Sequence, residues 1–329
     1  MRLRACSSWL AFWLTLAHCA PNPMPQQQGG ETAADKAKKI PQGVSKAKDG
    51  SIIMDATEKV NGMDIRFRVS GPAGEFTRES KVPGGGKDPN SKGSLGLHVL
   101  LHGDTGQSFF DMPNQGVKDN LAGVTILAPD RNLHWGGGRG FNRTNGVEHA
   151  KAVDDLVQNV LPKYMSFNLS NVYFTGVSGG SLMLSGYFIP AHIGNYAGNG
   201  VLLACGAMEP RVTVEKSARE AMKTTKIHYQ TTKKELARLR KPLAATMKVY
   251  AQLGTDVGLK KEALNQLQTA NNKPDAGHCQ FDEKGFDSGV QLIVEAYDAI
   301  MQGGNGEVPG IGNVRKGVSG QELKFSGSG

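Results

Sequence analysis

Short, continuous apolar runs alternate with amphipathic stretches through the middle of the chain, and the two ends carry neither pattern. Leu97 to Leu101, Val124 to Ala128, Val172 to Thr175 and Val201 to Ala204 are each bounded by glycine or polar residues, as strands buried on both faces should be. Between them, Val147 to Val160 sets Val153, Leu156, Val157 and Val160 on one helical face, and Leu182 to Ile189 is a second helical stretch. Strand and helix in alternation predict βαβ units and a mostly parallel central sheet with helices on both faces. Ahead of these units, Ile52 to Ala56 and Met63 to Ser70 alternate apolar and polar around Asn61-Gly62, which predicts an N-terminal antiparallel hairpin.

The region from 206 to 282 allows two readings. In one, Lys226 to Gln230 is the seventh strand, Leu236 to Leu253 a helix interrupted at Pro242, and Leu264 to Ala270 the eighth strand; in the other, Met247 to Gln252 is the seventh strand. The first is favoured, because Leu236, Leu239, Leu243, Met247, Tyr250 and Leu253 step by three and four and Gly254 suits a helix C-terminus. Phe286 to Met301 is an amphipathic last helix. Residues 20–48 and 303–329 are polar or glycine-rich with little apolar surface, so they are expected to be a disordered linker and a flexible tail. The expected organisation is a signal peptide over 1–19, that linker, one catalytic domain over 49–302, and the tail.

The ends change the picture of where the protein works. Arg2 and Arg4 precede an apolar run from Trp9 to Ala17 that is too short to span a bilayer, and Ala17-His18-Cys19 suits cleavage. The expected location is therefore secreted and extracellular. Loss of Arg2 and Arg4 with no acid takes the formal charge from +8 to +6. The lysine-bearing segments 36–48 and 81–92 carry no interleaved aromatics, which argues against a nucleic-acid face. Cleavage leaves Cys205 and Cys279, an even pair in an oxidising compartment, so a disulfide is expected between them. The sequons at Asn142 and Asn168 fit a glycoprotein on that route.

The run NVYFTGVSGG, Asn171 to Gly180, reads as strand, G-x-S-x-G and helix start. A sharp turn there needs small neighbours and lifts the serine hydroxyl above the sheet edge, so Ser178 is the candidate nucleophile. A serine hydroxyl needs a base. Of the eight histidines, His278 lies in a glycine-bearing loop after the last predicted strand, where a base reaching over the sheet would be held. The acid that orients it is Glu235 under the favoured reading of the seventh strand and Asp256 under the other, with Glu209 a distant third. Oxyanion donors are expected from the amide of Gly179 and from Asp104 or Thr105 in the run LLHGDTGQ. His102 is expected to orient that loop at the edge of the substrate cleft, and Asp130, Arg131, His134 and Trp135 to line the cleft, with Trp135 either a stacking platform or a cap on the fold.

With these pieces in place, the stretch from about 97 to 190 resembles secreted α/β-hydrolases of the polyhydroxybutyrate depolymerase, feruloyl esterase and acetyl xylan esterase group. The resemblance rests on LLHGDTGQ, VTILAPD, the helix before NVYFTGVSGGS, and the late GHC. It implies the α/β-hydrolase fold and hydrolysis of carboxylic esters through an acyl-serine. The aspartate such enzymes carry in a GTxD motif has only QTTKKEL or LGTDV to match it, which leaves the acid open. The expectation is a monomeric serine esterase with no metal or organic cofactor, acting on an ester substrate, with wall-polymer and polyester esters among the candidates, and binding neither nucleic acid nor membrane. The rival readings are a peptidase or lipase on the same fold and a non-catalytic wall-binding protein that kept the scaffold.

Overall fold

The structure is a computed structural model, and it describes residues 32–196 and 198–321. The expected signal peptide, the first part of the linker and the last eight residues lie outside the described residues. In chain order the strands are β1 (Gly43–Lys46), β2 (Ile52–Val60), β3 (Met63–Gly71), β4 (Gly96–Leu101), β5 (Val117–Lys118), β6 (Leu121–Ile126), β7 (Val172–Val177), β8 (Gly200–Ala204), β9 (Lys226–Gln230), β10 (Gln268–Asn271), β11 (Glu307–Val308), β12 (Gly312–Asn313) and β13 (Lys316–Gly317).

Among the described residues the main sheet runs β1-β2-β3-β6-β4-β7-β8-β9-β10-β13. The six strands from β6 to β10 in that order are parallel neighbours. Antiparallel strands close both ends, β1 to β3 on one side and β13 on the other. Burial follows the two-residue period of a strand: Leu97, Val99 and Leu101 join one core while Leu100 joins the other, and Val201 and Leu203 oppose Leu202 and Ala204. One face is covered by helices Gly146–Asp155, Gly179–Met183 and Leu236–Asp256, the other by Phe286–Glu295 and Tyr297–Met301. No helix of the described residues is long and apolar enough to cross a membrane.

Four expectations need correction. The eighth strand was placed at Leu264 to Ala270, but Lys261–Leu267 is helical and β10 starts at Gln268. The helix Leu236–Asp256 runs through Pro242 without a break. The linker is ordered from Thr32 onward: Ala33–Lys38 is a helix with a capping box from Thr32, and β1 pairs along β2. Arg66 on β3 holds that helix by donating to the carbonyl oxygens of Ala37 and Ile40 at 2.6 and 3.2 Å. Guanidinium and backbone bonds share this docking with small alanines, Ala33, Ala34 and Ala37, packed on Phe109, Leu127 and Leu133, and neither leaves a strong apolar run in the sequence. The tail likewise forms β11, β12 and β13, and Val308, Ile311, Val314 and Val318 are buried. These apolar residues are spaced singly among glycines, so no run announces them.

Candidate active site

The turn between β7 and the helix Gly179–Met183 forces Ser178 to φ 51° and ψ −109°. This left-handed backbone is costly for a residue with a side chain, and the neighbours are shaped to hold it. A Cβ on Gly176 would meet the Ser181 nitrogen at 2.5 Å, and one on Gly180 the Leu101 oxygen at 2.2 Å. The Ser178 amide donates to the Ala204 carbonyl at 2.8 Å, and the Ser181 hydroxyl bonds the carbonyls of Gly176 and Ala204 at 2.6 and 2.8 Å. Sheet and turn are thereby laced together under a half-buried serine.

His278 stands over this turn. Its Nε2 lies 2.8 Å from Ser178 Oγ and its Nδ1 lies 2.7 Å from Glu235 Oε1. The Glu235 carboxylate is buried and fully engaged: it accepts from the Thr231 hydroxyl at 2.7 Å, from the Thr232 amide at 2.9 Å and from the Cys279 amide at 3.1 Å. With an ionised acceptor on Nδ1, that nitrogen carries the proton and Nε2 faces the serine as a lone pair. Cys205 and Cys279 form a disulfide with a Cα–Cα distance of 5.2 Å, tying the end of β8 to the residue beside His278. Cys205, Glu235, His278 and Cys279 come together as ligand-type groups. The sulfurs are bonded to each other and the imidazole to the carboxylate, so a donor set for a metal is spent on other bonds.

Asp256 is elsewhere. It ends the helix Leu236–Asp256 with its side chain exposed, 3.7 Å from Arg219 Nη1 and 2.7 Å from Gln252 Nε2. Glu209 is exposed and makes no bond to His278.

The backbone amides of Asp104 and Gly179 engage no acceptor among the described residues. Thr105 differs from expectation: its amide is spent on the Leu133 carbonyl at 3.1 Å. The Asp104 carboxylate lies against Gly179, where an added Cβ would meet Oδ1 at 2.0 Å. A bare carboxylate there would repel negative charge developing at the two amides. Arg143, nearly fully buried, meets it with both terminal nitrogens at 2.8 and 2.8 Å and also donates to the Trp135 carbonyl at 3.1 Å. Such a two-pronged pair fixes position and cancels charge together.

Of three residues expected at the cleft, His102 and Trp135 are buried supports and Asp130 faces a different cavity. His102 is fully buried; its Nδ1 donates to the Gly103 carbonyl at 2.5 Å, and its Nε2 accepts from the Ala128 amide at 2.9 Å. Burial pushes its pKa down to about 4, so it stays neutral and joins two loops. Trp135 is 1% exposed, packed between the rings of His102 and His149. Asp130 accepts from the Asn132 and His134 amides and, with Arg131, lines a cavity of about 580 Å³ beside the helix Ala33–Lys38, away from Ser178. Position at the end of a strand predicts the sheet edge but not which way a side chain points. Sequence reasoning missed Arg143, which has no motif, and Phe286, whose ring packs 5.9 Å from that of His278. A second cleft of about 620 Å³ opens beside His278 and Glu235.

No family model matches the chain. No curated protein matches it either. Among solved structures it is similar to a thermostable esterase at 16% identity and TM-score 0.48, covering 75% of this chain and 61% of that one. It is also similar to the feruloyl esterase module from Clostridium thermocellum at 15% identity and TM-score 0.43, over 78% of this chain and 89% of that one. An arylesterase matches at 10% identity and TM-score 0.45, over 82% and 90% of the two chains. The chain thus spans less than two thirds of the thermostable esterase. Its own strand order, with the serine turn after β7 and His278 beyond the last parallel strand, is what defines the fold: the chain is an α/β-hydrolase in architecture.

Proposed function

We propose that the protein is a serine hydrolase that cleaves carboxylic esters through an acyl-serine. The observation that carries this reading is the unbroken chain of contacts from Ser178 to His278 at 2.8 Å and from His278 to Glu235 at 2.7 Å. His278 Nε2 takes the proton as Ser178 Oγ forms a bond to the ester carbonyl carbon, and Glu235 stabilises the imidazolium that results. The oxyanion so formed accepts from the amides of Asp104 and Gly179, and this reading is supported by both amides being free of other acceptors among the described residues. When the intermediate collapses, the bond to the alcohol oxygen breaks and His278 returns the proton to that oxygen. Water then repeats the sequence on the acyl-serine, releasing the acid and restoring Ser178.

Secretion belongs to the same proposal. The disulfide suits an oxidising compartment, and the charged and then apolar start of the chain suits export. A fluorophosphonate probe tests the chemistry: it is expected to label the wild-type protein and not Ser178→Ala. A folded wild-type protein that takes up no probe overturns the proposal.

A further inference from the structure

The two sides of Ser178 differ in charge. On the oxyanion side the carboxylate that lies against Gly179, Asp104, is matched by Arg143. On the histidine side, the cleft of about 620 Å³ has Lys234 and Arg238 in its wall together with Ala237 and Leu239. Glu235 is the one carboxylate in that lining, and its oxygens are taken by His278, Thr231, Thr232 and Cys279. Lys234 and Arg238 are exposed and form no ion pair among the described residues, and the same holds for Lys233 and Lys241 next to them. Counter-charge for this rim is therefore not supplied by the described residues. Salt bridges do compensate cations elsewhere on the surface, as in Lys59–Asp64, Lys151–Asp155 and Lys223–Glu220.

Chemistry decides which half of an ester meets this rim. The alcohol oxygen must receive its proton from His278, so the alcohol half lies on the imidazole side and the carbonyl oxygen on the amide side. The cleft is lined by His278 but not by Ser178, so what reaches it is the part of the alcohol half that extends past the imidazole. Its mixed apolar and cationic lining matches a molecule with an apolar body and an anionic end.

Resting on the esterase reading above, we propose that Lys234 and Arg238 form a subsite for a carboxylate or other anionic group on the alcohol half of the substrate, so that the preferred leaving group is an acidic alcohol such as a hydroxy acid. A segment of an acidic polymer and a small hydroxy-acid ester share this chemistry.

The test compares two acetyl esters, 4-acetoxybenzoate and the uncharged 4-acetoxybenzamide, which differ only on the alcohol side. Wild type is expected to favour the charged ester in kcat/KM by about three- to tenfold, the range that one or two solvent-exposed ion pairs supply. The preference should fall toward one in Arg238→Gln and invert in Arg238→Glu and Lys234→Glu. It should also shrink between low and high salt, because exposed pairs are screened. Lys248→Glu is the control. It makes the same charge change on the same helix, about 15 Å further along at the rise of an α-helix, and should leave the ratio in place.

Phenyl hydrogen adipate against its methyl ester moves the charge to the acyl side, where no preference is expected. A wild-type ratio of one, an equal response of Arg238→Glu and Lys248→Glu, or a preference confined to the adipate pair each overturns the subsite. Calorimetric binding of 4-hydroxybenzoate against 4-hydroxybenzamide to Ser178→Ala protein separates the two readings. If neither ester is turned over yet 4-hydroxybenzoate binds and Arg238→Glu abolishes that binding, the esterase reading fails and the subsite stands. Loss of both removes both.

Discussion

The oxyanion side and the histidine side of Ser178 are built by different means. The first is locked from within: Arg143 pairs with Asp104 in two directions, His102 ties two loops, and Trp135 fills the space beneath them. The second is clipped by a covalent bond, the buried disulfide, and by a buried acid whose four bonds gather the strand end and the His278 loop. The locked side handles the carbonyl, which is alike in every ester. The clipped side meets the part that varies, and its exposed cations leave room for selection.

That contrast can be broken in steps. The largest effect is expected from Ser178→Ala, which removes the group both sides serve; ester turnover should fall by about 10⁵-fold or more, to the residue left by binding alone. Measurable acyl transfer near the wild-type rate would end the comparison. Glu235→Gln acts on the histidine side alone. It keeps the shape but turns an amide toward donors that need an acceptor, and kcat should drop by about 10³- to 10⁴-fold. If Glu235→Gln is as active as wild type while Asp256→Ala is not, the assignment of the acid is wrong.

Arg143→Met attacks the other side. The Asp104 carboxylate then faces the oxyanion position uncompensated, and kcat should fall by about 10²-fold with a smaller change in KM. Adding Asp104→Asn removes the orphaned charge, so the double variant is expected to recover part of the loss, which a purely structural role for Arg143 does not produce. A double-mutant cycle on single-turnover rates reads this directly.

Cys205→Ala with Cys279→Ala opens a loop of 74 residues, worth about 4 kcal/mol in the chain-entropy account. Denaturant titration should show that loss, with the oxyanion side still formed.

Acid is the gentlest probe. His98, His102, His149 and His228 are held neutral by burial, His98 with its pKa lowered to about 3 and the others to about 4. Their folded pKa values lie below the ordinary 6.5, so between about 6.5 and 4 the unfolded chain binds protons that the native chain refuses. The associated stability is whole above about pH 6.5 and is lost as pH falls toward 4, by about 1.4 kcal/mol per pH unit for each such group. Melting temperature against pH checks this; a flat profile from pH 7 to 4.5 would contradict it.

The parallel sheet was legible in the sequence because strands buried on both faces are mostly apolar: β8 is so throughout, and β4 and β7 depart from it chiefly at His98 and Thr175, whose side chains satisfy each other at 2.7 Å inside the core. β10 was misplaced for the opposite reason. Its Gln268, Thr269 and Asn271 are buried through hydrogen bonds to Tyr250, His228 and Gln230, a pattern with no hydropathy signal. At the site, Ser178 carries a motif and His278 a position. The acid stayed open because two carboxylates followed plausible strands, and the choice depended on which segment of 226–252 was the strand. Arg143 and the burial of Trp135 depend on contacts and side-chain directions that sequence spacing does not encode.

The two segments that look shapeless in the sequence also finish the sheet. β1 is four residues ending in Lys46, with every side chain exposed, and β13 is two residues beginning with Lys316. Short, lysine-bearing end strands offer another chain almost no free ladder to extend. Among the described residues, the polar segments on either side of the parallel strands thus put at both sheet edges the kind of strand least suited to pairing with another chain.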